Sequence, residues 1–242
     1  MQYHVPLALL ILAASPSLCS AQTFLGPVHY TSPADSPFDV LSPSFVLETF
    51  EGGTFSIPGV TGDGIGVIGP GFNTDSVDID DGVIDGNGTN GRSYFANGQI
   101  GITFTFDAAI LGALPTHVGV VWTDGAGTSS FEAFDGSGAS LGVIGPFALA
   151  DDSFFGTTGE DHFFGIIDAA GIGSIRITNT AGGIEVDHLQ FITGGGCAIS
   201  SDIDGDGQVG AADLALLLGS WGICGGGCCS ADLDQDGVVG GP

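Results

Sequence analysis

The chain has no lysine and only two arginines, Arg92 and Arg176, against 28 aspartates and glutamates, which gives a formal net charge of −26. A surface of that sign repels phosphate backbones and anionic headgroups, so nucleic acid and acidic membranes are excluded as partners. Charged residues of any kind are also scarce, at 12% of the chain, while 43% are hydrophobic. That balance excludes acidic disorder and leaves a packed protein with an acidic skin. Long apolar runs are missing: Val5–Ala14 falls well short of the roughly 20 residues a membrane-spanning helix needs. No H-E-x-x-H or P-loop pattern is present. Cysteine is absent between Cys19 and Cys197.

What is abundant is glycine, 44 residues without a collagen-like period, spread among short β-branched and aromatic runs. From Phe45 to Thr193 such runs recur, among them "GITFTFDA", "HVGVVWTDG", "SSFEAFDG", "IGSIRITNT" and "IEVDHLQF", separated by Gly, Asp, Asn or Pro. Ile102, Phe104 and Phe106 alternate with Thr103 and Thr105, and Ile175 and Ile177 with Arg176 and Thr178, as in half-buried strands. In "IEVDHLQF" the apolar phase switches from Ile184 and Val186 to Leu189 and Phe191, which predicts a β-bulge near Asp187 and His188. The expected fold is mainly β, a jelly-roll-like antiparallel β-sandwich over residues 44–193. Residues 22–43, with Pro27, Pro33, Pro37 and Pro43, are expected to form an extended lead-in rather than a core element.

Residues 1–21 have the pattern of a secretory signal: an apolar core, then Ser15-Pro16 and the small-residue site Cys19-Ser20-Ala21, with cleavage expected before Gln22. The charged start of such signals is missing. Secretion is the expected localisation. Removing the signal leaves Cys197, Cys224, Cys228 and Cys229, an even number in an exported tail, which reads as two disulfides of open connectivity. A four-thiolate zinc site is the competing reading, but Cys-x3-Cys-Cys is not a usual zinc knuckle.

The tail, residues 194–242, follows a glycine linker and carries the sharpest motif. In "DIDGDGQVGAAD" Asp202, Asp204 and Asp206 stand at alternate positions, Gly207 follows, and Asp213 closes the stretch. In a twelve-residue EF-type loop, positions 1, 3 and 5 give side chains, position 7 a backbone carbonyl and position 12 a carboxylate. Asp202, Asp204, Asp206, the Gln208 carbonyl and Asp213 fill those places, with Ca2+ as the matching ion. Val209 is expected to be a buried apolar tie to the neighbouring loop. Asp232, Asp234, Asp236 and the Val238 carbonyl begin a second such loop. After the first loop, Leu214, Leu217, Leu218 and Trp221 share one helical face, whereas no helix precedes it.

A calcium loop followed by a single helix, repeated in tandem, resembles the dockerin family over these residues. The resemblance implies a calcium-dependent docking module whose partner is a cohesin-like protein or another cell-surface component. Ala211 and Ala212 stand where many dockerins carry the polar pair that reads a cohesin, and the second repeat lacks its closing carboxylate and helix. The intact chain is therefore expected to continue past Pro242 with an acidic residue and a leucine-rich helix.

The β-region offers weaker candidates. "DSVDIDDGVIDGNGTNG", residues 75–91, is either a surface loop or a further calcium site. Trp122 beside Asp124 is a candidate sugar contact through ring stacking, or else a core tryptophan. Asp161-His162 and Asp187-His188 are candidate ligands or acid–base groups, though strand neighbours point to opposite faces. Glu132, Glu160 and Glu185 are the candidate carboxylates for glycoside hydrolysis. Asn87-Gly88-Thr89 meets the glycosylation rule. The expected function is a secreted, non-catalytic β-sandwich joined to a calcium-dependent dockerin-like module for extracellular attachment or assembly, linked to polysaccharide. The alternatives are a polysaccharide-degrading enzyme and a purely structural surface protein. The β-region looks similar to exported sandwich domains of environmental bacteria that carry C-terminal docking tags.

Overall fold

A computed structural model describes residues 22–151, 153–193, 203, 209–223, 231 and 238–240. Its strands in chain order are β1 (Thr23–His29), β2 (Phe45–Glu48), β3 (Val60–Gly62), β4 (Gly66–Ile68), β5 (Ser93–Asn97) and β6 (Ile102–Phe106). The single-turn helix α1 (Ala108–Leu111) leads to β7 (Pro115–Phe134), β8 (Ser140–Phe147), β9 (His162–Ile167) and β10 (Ser174–Thr193). In the tail lie α2 (Ala211–Gly219), β11 (Gly222–Ile223) and β12 (Val238–Val239).

The architecture is mainly antiparallel β, consistent with a β-sandwich. Two long strands organise it. β10 pairs with β7 along its length and, segment by segment, with β6, β5 and β2, while β7 also carries β8 and β9. The sequence runs "HVGVVWTDG" and "SSFEAFDG" are thus one strand, and "IGSIRITNT" and "IEVDHLQF" another. The glycines between them do not end the ladder; they bend it. Its register shifts between Asn179 and Ala181 and again between Ala181 and Ile184, with Gly182 at φ 68°.

The alternation read from sequence sets the core. Ile102, Phe104, Ile175 and Ile177 are fully buried and pack with Phe131, Phe164, Val186 and Phe191. Truncating any one of the large side chains in such a core costs roughly 3–5 kcal/mol.

The lead-in expectation is corrected. β1 is an integral strand, paired with β9 from Thr23 opposite Ile167 to His29 opposite His162. Tyr30 and Phe38 behind it are buried, Tyr30 stacked on Phe163 and Phe38 edge-on to it. Pro27 sits inside β1 at the register shift between Leu25 and Val28, and Pro33, Pro37 and Pro43 follow the strand, so no ladder donor is lost.

Candidate functional site

In the tail, Asp202, Asp204, Asp206 and Gln208, together with Asp232, Asp234, Asp236 and the four cysteines, lie outside the described residues. Asp213 is described, and it is buried at the start of α2. Its carboxylate accepts the N–H of Ile203 at 2.7 Å and of Gly210 at 2.6 Å, so position 12 is turned back onto the loop it follows. Val238 lies in β12, where Val239 opposes Gly222 rather than Val209. Val209 is not buried as expected but 71% exposed. Leu214, Leu218 and Trp221 are also exposed, so the apolar face of α2 stands open among the described residues.

In the β-region the sugar-contact reading of Trp122 is overturned. Its ring is fully buried, and its indole N–H donates to Asn179 Oδ1 at 2.9 Å. A ring with no exposed face cannot stack on a sugar. The 75–91 segment is not simply a surface loop either, because Asp75, Ser76, Val77 and Asp78 are all buried.

That segment packs its carboxylates against those of β10 and of the turn Thr158–Glu160, forming an acidic seam. Glu185 Oε2 takes the Asp75 N–H at 2.8 Å and the Ser93 hydroxyl, and Asp187 Oδ2 takes the Val77 N–H at 3.0 Å. Asp78 accepts from the N–H groups of Asp85 and Gly86 and from the Thr158 hydroxyl. Asp151 joins through its N–H, which donates to Glu160 Oε2 at 2.9 Å.

The expectation that Asp187 and His188 point apart fails for a physical reason. The bulge falls where the phase change placed it, between Asp187 and Gln190, and His188 takes a left-handed φ of 44°. Both side chains therefore turn inward and are fully buried. His188 bridges Tyr30 OH at 3.1 Å and Asp80 Oδ1 at 2.9 Å. Among the described residues, Asp80, Asp187 and His188 are the group whose ligand-type atoms come within 4.8 Å of one another. Both Asp187 oxygens accept backbone N–H groups and the imidazole is spanned by Tyr30 and Asp80, while Asp80 Oδ2 is buried without a partner.

Elsewhere in the seam the hydrogen bonds run out. Both oxygens of Asp75, both of Asp161 and Glu160 Oε1 are buried without a partner. Burial, then the negative neighbours Glu185 and Glu160, push the Asp75 carboxyl up to about 10. Burial raises Glu160 to about 8, Glu185 to about 7 and Asp124 to about 6. Asp161 is held well above the usual range by burial and by Asp75. Neither arginine answers them: Arg92 Nη1 donates to the Gly69 carbonyl, and Arg176 Nη2 to that of Ile100.

The hydrolase candidates do not assemble as a pair across a cleft. Glu132, on β7, accepts from Ser140 of β8 and lies eight residues from Asp124 along its own strand, or about 25 Å at strand rise. Glu160 and Asp124 lie near enough to perturb each other's protonation. Gly138-Ala139-Ser140-Leu141-Gly142 spells a G-x-S-x-G string, but Ser140 opens strand β8 and donates to Glu132 at 2.7 Å. A nucleophile elbow needs a strand-to-helix turn instead.

Above the seam is a surface the sequence did not reveal. Phe72, Phe154 and Phe155 are 71%, 54% and 44% exposed, yet cluster with ring centroids 4.8 Å and 4.2 Å apart. The loop carrying Phe154 and Phe155 is held by Asp151, which accepts from Ser153 N and Thr157 Oγ1. The signal for the seam was present in acidic residues set inside apolar strand runs, as in "IEVDHLQF", where a solvated carboxylate would be out of place.

No protein-family model matches the sequence, and no curated protein does. Among solved structures, the chain is similar to the C-terminal family 22 carbohydrate binding module of Clostridium thermocellum Xyn10B, with 14% identity over 62% of this chain and 92% of that one, at a TM-score of 0.28.

Proposed function

We propose that the protein is a secreted, non-catalytic attachment protein whose tail is a dockerin-like calcium module and whose β-domain engages polysaccharide. The observation that carries the reading is Asp213. A carboxylate at loop position 12, buried, turned back to positions 2 and 9 and capping α2, supports a closed loop in which Asp202, Asp204 and Asp206 would hold the ion. Extracellular calcium modules work at weak affinity because the ion is abundant outside the cell. The open apolar face of α2 gives a docking partner, a cohesin-like or cell-surface protein, something to cover. No helix among the described residues is long and apolar enough to cross a membrane. The exposed Phe72, Phe154 and Phe155 supply rings on which sugar faces can stack, with the Asp151 loop beside them.

The test is calcium titration of the full chain by calorimetry, beside Asp202→Ala/Asp206→Ala and Asp213→Ala variants. Tail binding lost in both variants supports the reading; unchanged binding in both overturns it. A hydrolase is the second reading, favoured by the contrast of Glu160 at about 8 with Asp124 at about 6, an acid beside a base. Product release from a polysaccharide panel, abolished by Glu160→Gln, would establish that reading in place of the first.

A further inference from the structure

We infer that the β-domain holds a hard divalent cation of its own, of calcium's class, at Asp75 and Asp161 in the acidic seam, independently of the tail loop. Asp75 is 1% exposed and Asp161 fully buried, and neither has a hydrogen-bond partner on either carboxylate oxygen. Glu160 Oε1, beside them, is in the same condition. Buried carboxylates are ordinarily satisfied by N–H donors or by a counter-charge, and these have neither.

Protonation alone does not resolve the arrangement. A neutral acid loses its charge, but its O–H still needs an acceptor and its carbonyl oxygen a donor. The other seam carboxylates show what satisfaction looks like: Asp78, Glu185 and Asp187 each collect backbone or hydroxyl donors. Asp75 and Asp161 stand among those groups as acceptors left for something else. The chain has no lysine to offer, and its two arginines are bonded elsewhere.

The chemistry of the donors selects the ion. The unpartnered atoms of Asp75, Glu160 and Asp161 are carboxylate oxygens, whereas the buried imidazole nearby, His188, is already engaged by Tyr30 and Asp80. Oxygen without nitrogen or sulfur favours calcium over zinc or copper. Asp75, Glu160 and Asp161 do not bring ligand atoms to within 4.8 Å as a trio, so backbone carbonyls and water must complete the shell, as calcium readily accepts. Gly88 closes the site over Asp75: a Cβ there would stand 2.7 Å from Asp75 Oδ1 and 2.2 Å from the Ser76 carbonyl.

The test uses the full chain carrying Asp202→Ala/Asp206→Ala together with Asp232→Ala/Asp236→Ala, which removes both tail loops from the measurement and separates failure of the tail reading from failure of this one. Calcium stoichiometry by elemental analysis after dialysis, and thermal unfolding followed by Trp122 fluorescence, are compared in calcium and in chelator. One retained calcium and a Tm raised by about 5–10 °C, at calcium near 100 times Kd, are expected. Asp75→Asn and Asp161→Asn, each near-isosteric, should fold by circular dichroism yet lose the ion and the calcium-dependent shift. No bound ion and no shift in the tail-loop variant would overturn the inference. So would Asp75→Asn and Asp161→Asn variants that retain the full calcium response.

Discussion

Glu185 Oε2 accepts the backbone N–H of Asp75 at 2.8 Å, joining residues 110 apart in the chain, and the same oxygen takes the Ser93 hydroxyl. One carboxylate therefore pins the 74–81 segment to β10 and to β5 at once. Removing it strands two buried donors, each costing about 1–3 kcal/mol. Glu185→Ala is expected to lower stability by about 2–4 kcal/mol, a fall in Tm of about 5–12 °C for a domain of this size. Glu185→Gln keeps an acceptor and should cost less than about 1 kcal/mol. Thermal unfolding of both variants separates the outcomes; equal losses would show that the charge, not the bond, matters.

The seam makes stability depend on pH in an unusual direction. Its carboxyls begin near 3.8 to 4.5 in the unfolded chain and rise in the folded one, to about 6 for Asp124, 7 for Glu185, 8 for Glu160 and 10 for Asp75. Asp161 and Asp187 rise too, with Asp78, Asp80, Asp151, Tyr30 and His188 packed around them. Between the two sets of values the folded state binds more protons than the unfolded one, so stability falls as pH rises. In chelator, Tm should therefore be highest near pH 4 to 5 and decline toward pH 8. Millimolar calcium should flatten or reverse that slope by favouring the ionised forms. Denaturation scans at several pH values with and without calcium measure it, and a rising Tm in chelator would count against the assignment.

Trp122 and Asn179 form a second polar contact inside the core. The indole N–H and the Ser129 hydroxyl both donate to Asn179 Oδ1, at 2.9 and 3.2 Å. Asn179→Leu fits the volume but leaves both donors dry, at a cost of about 2–4 kcal/mol. Because Trp221 is 62% exposed, a change in the blue-shifted emission component reports Trp122 alone.

The phenylalanine surface gives the cleanest separation of binding from stability. Phe72→Ala or Phe154→Ala alters an exposed side chain and should shift unfolding by no more than about 0.5 kcal/mol. Affinity electrophoresis in soluble polysaccharide should nevertheless show retardation by the parent chain and its loss in the variants. Retardation unchanged by both substitutions would move the ligand site elsewhere.

Local pattern alone determined much of this molecule. Ile102, Phe104, Ile175 and Ile177 were legible as core because a strand sends alternate side chains to one face, and the bulge at Asp187 was legible as a phase change in that alternation. The proposed calcium loop likewise rests on the spacing of Asp202, Asp204, Asp206 and Asp213 alone, since its ligands would be contiguous in the chain. Tertiary structure decided what is non-local. Whether Trp122 faces sugar or core, and whether β1 is a lead-in or a strand, depends on partners more than 50 residues away. The acidic seam unites Asp75, Glu160, Asp161 and Glu185 from separate segments, and no single window of sequence contains it. Burial sets those residues apart from an acidic skin, because a carboxylate without water demands a partner.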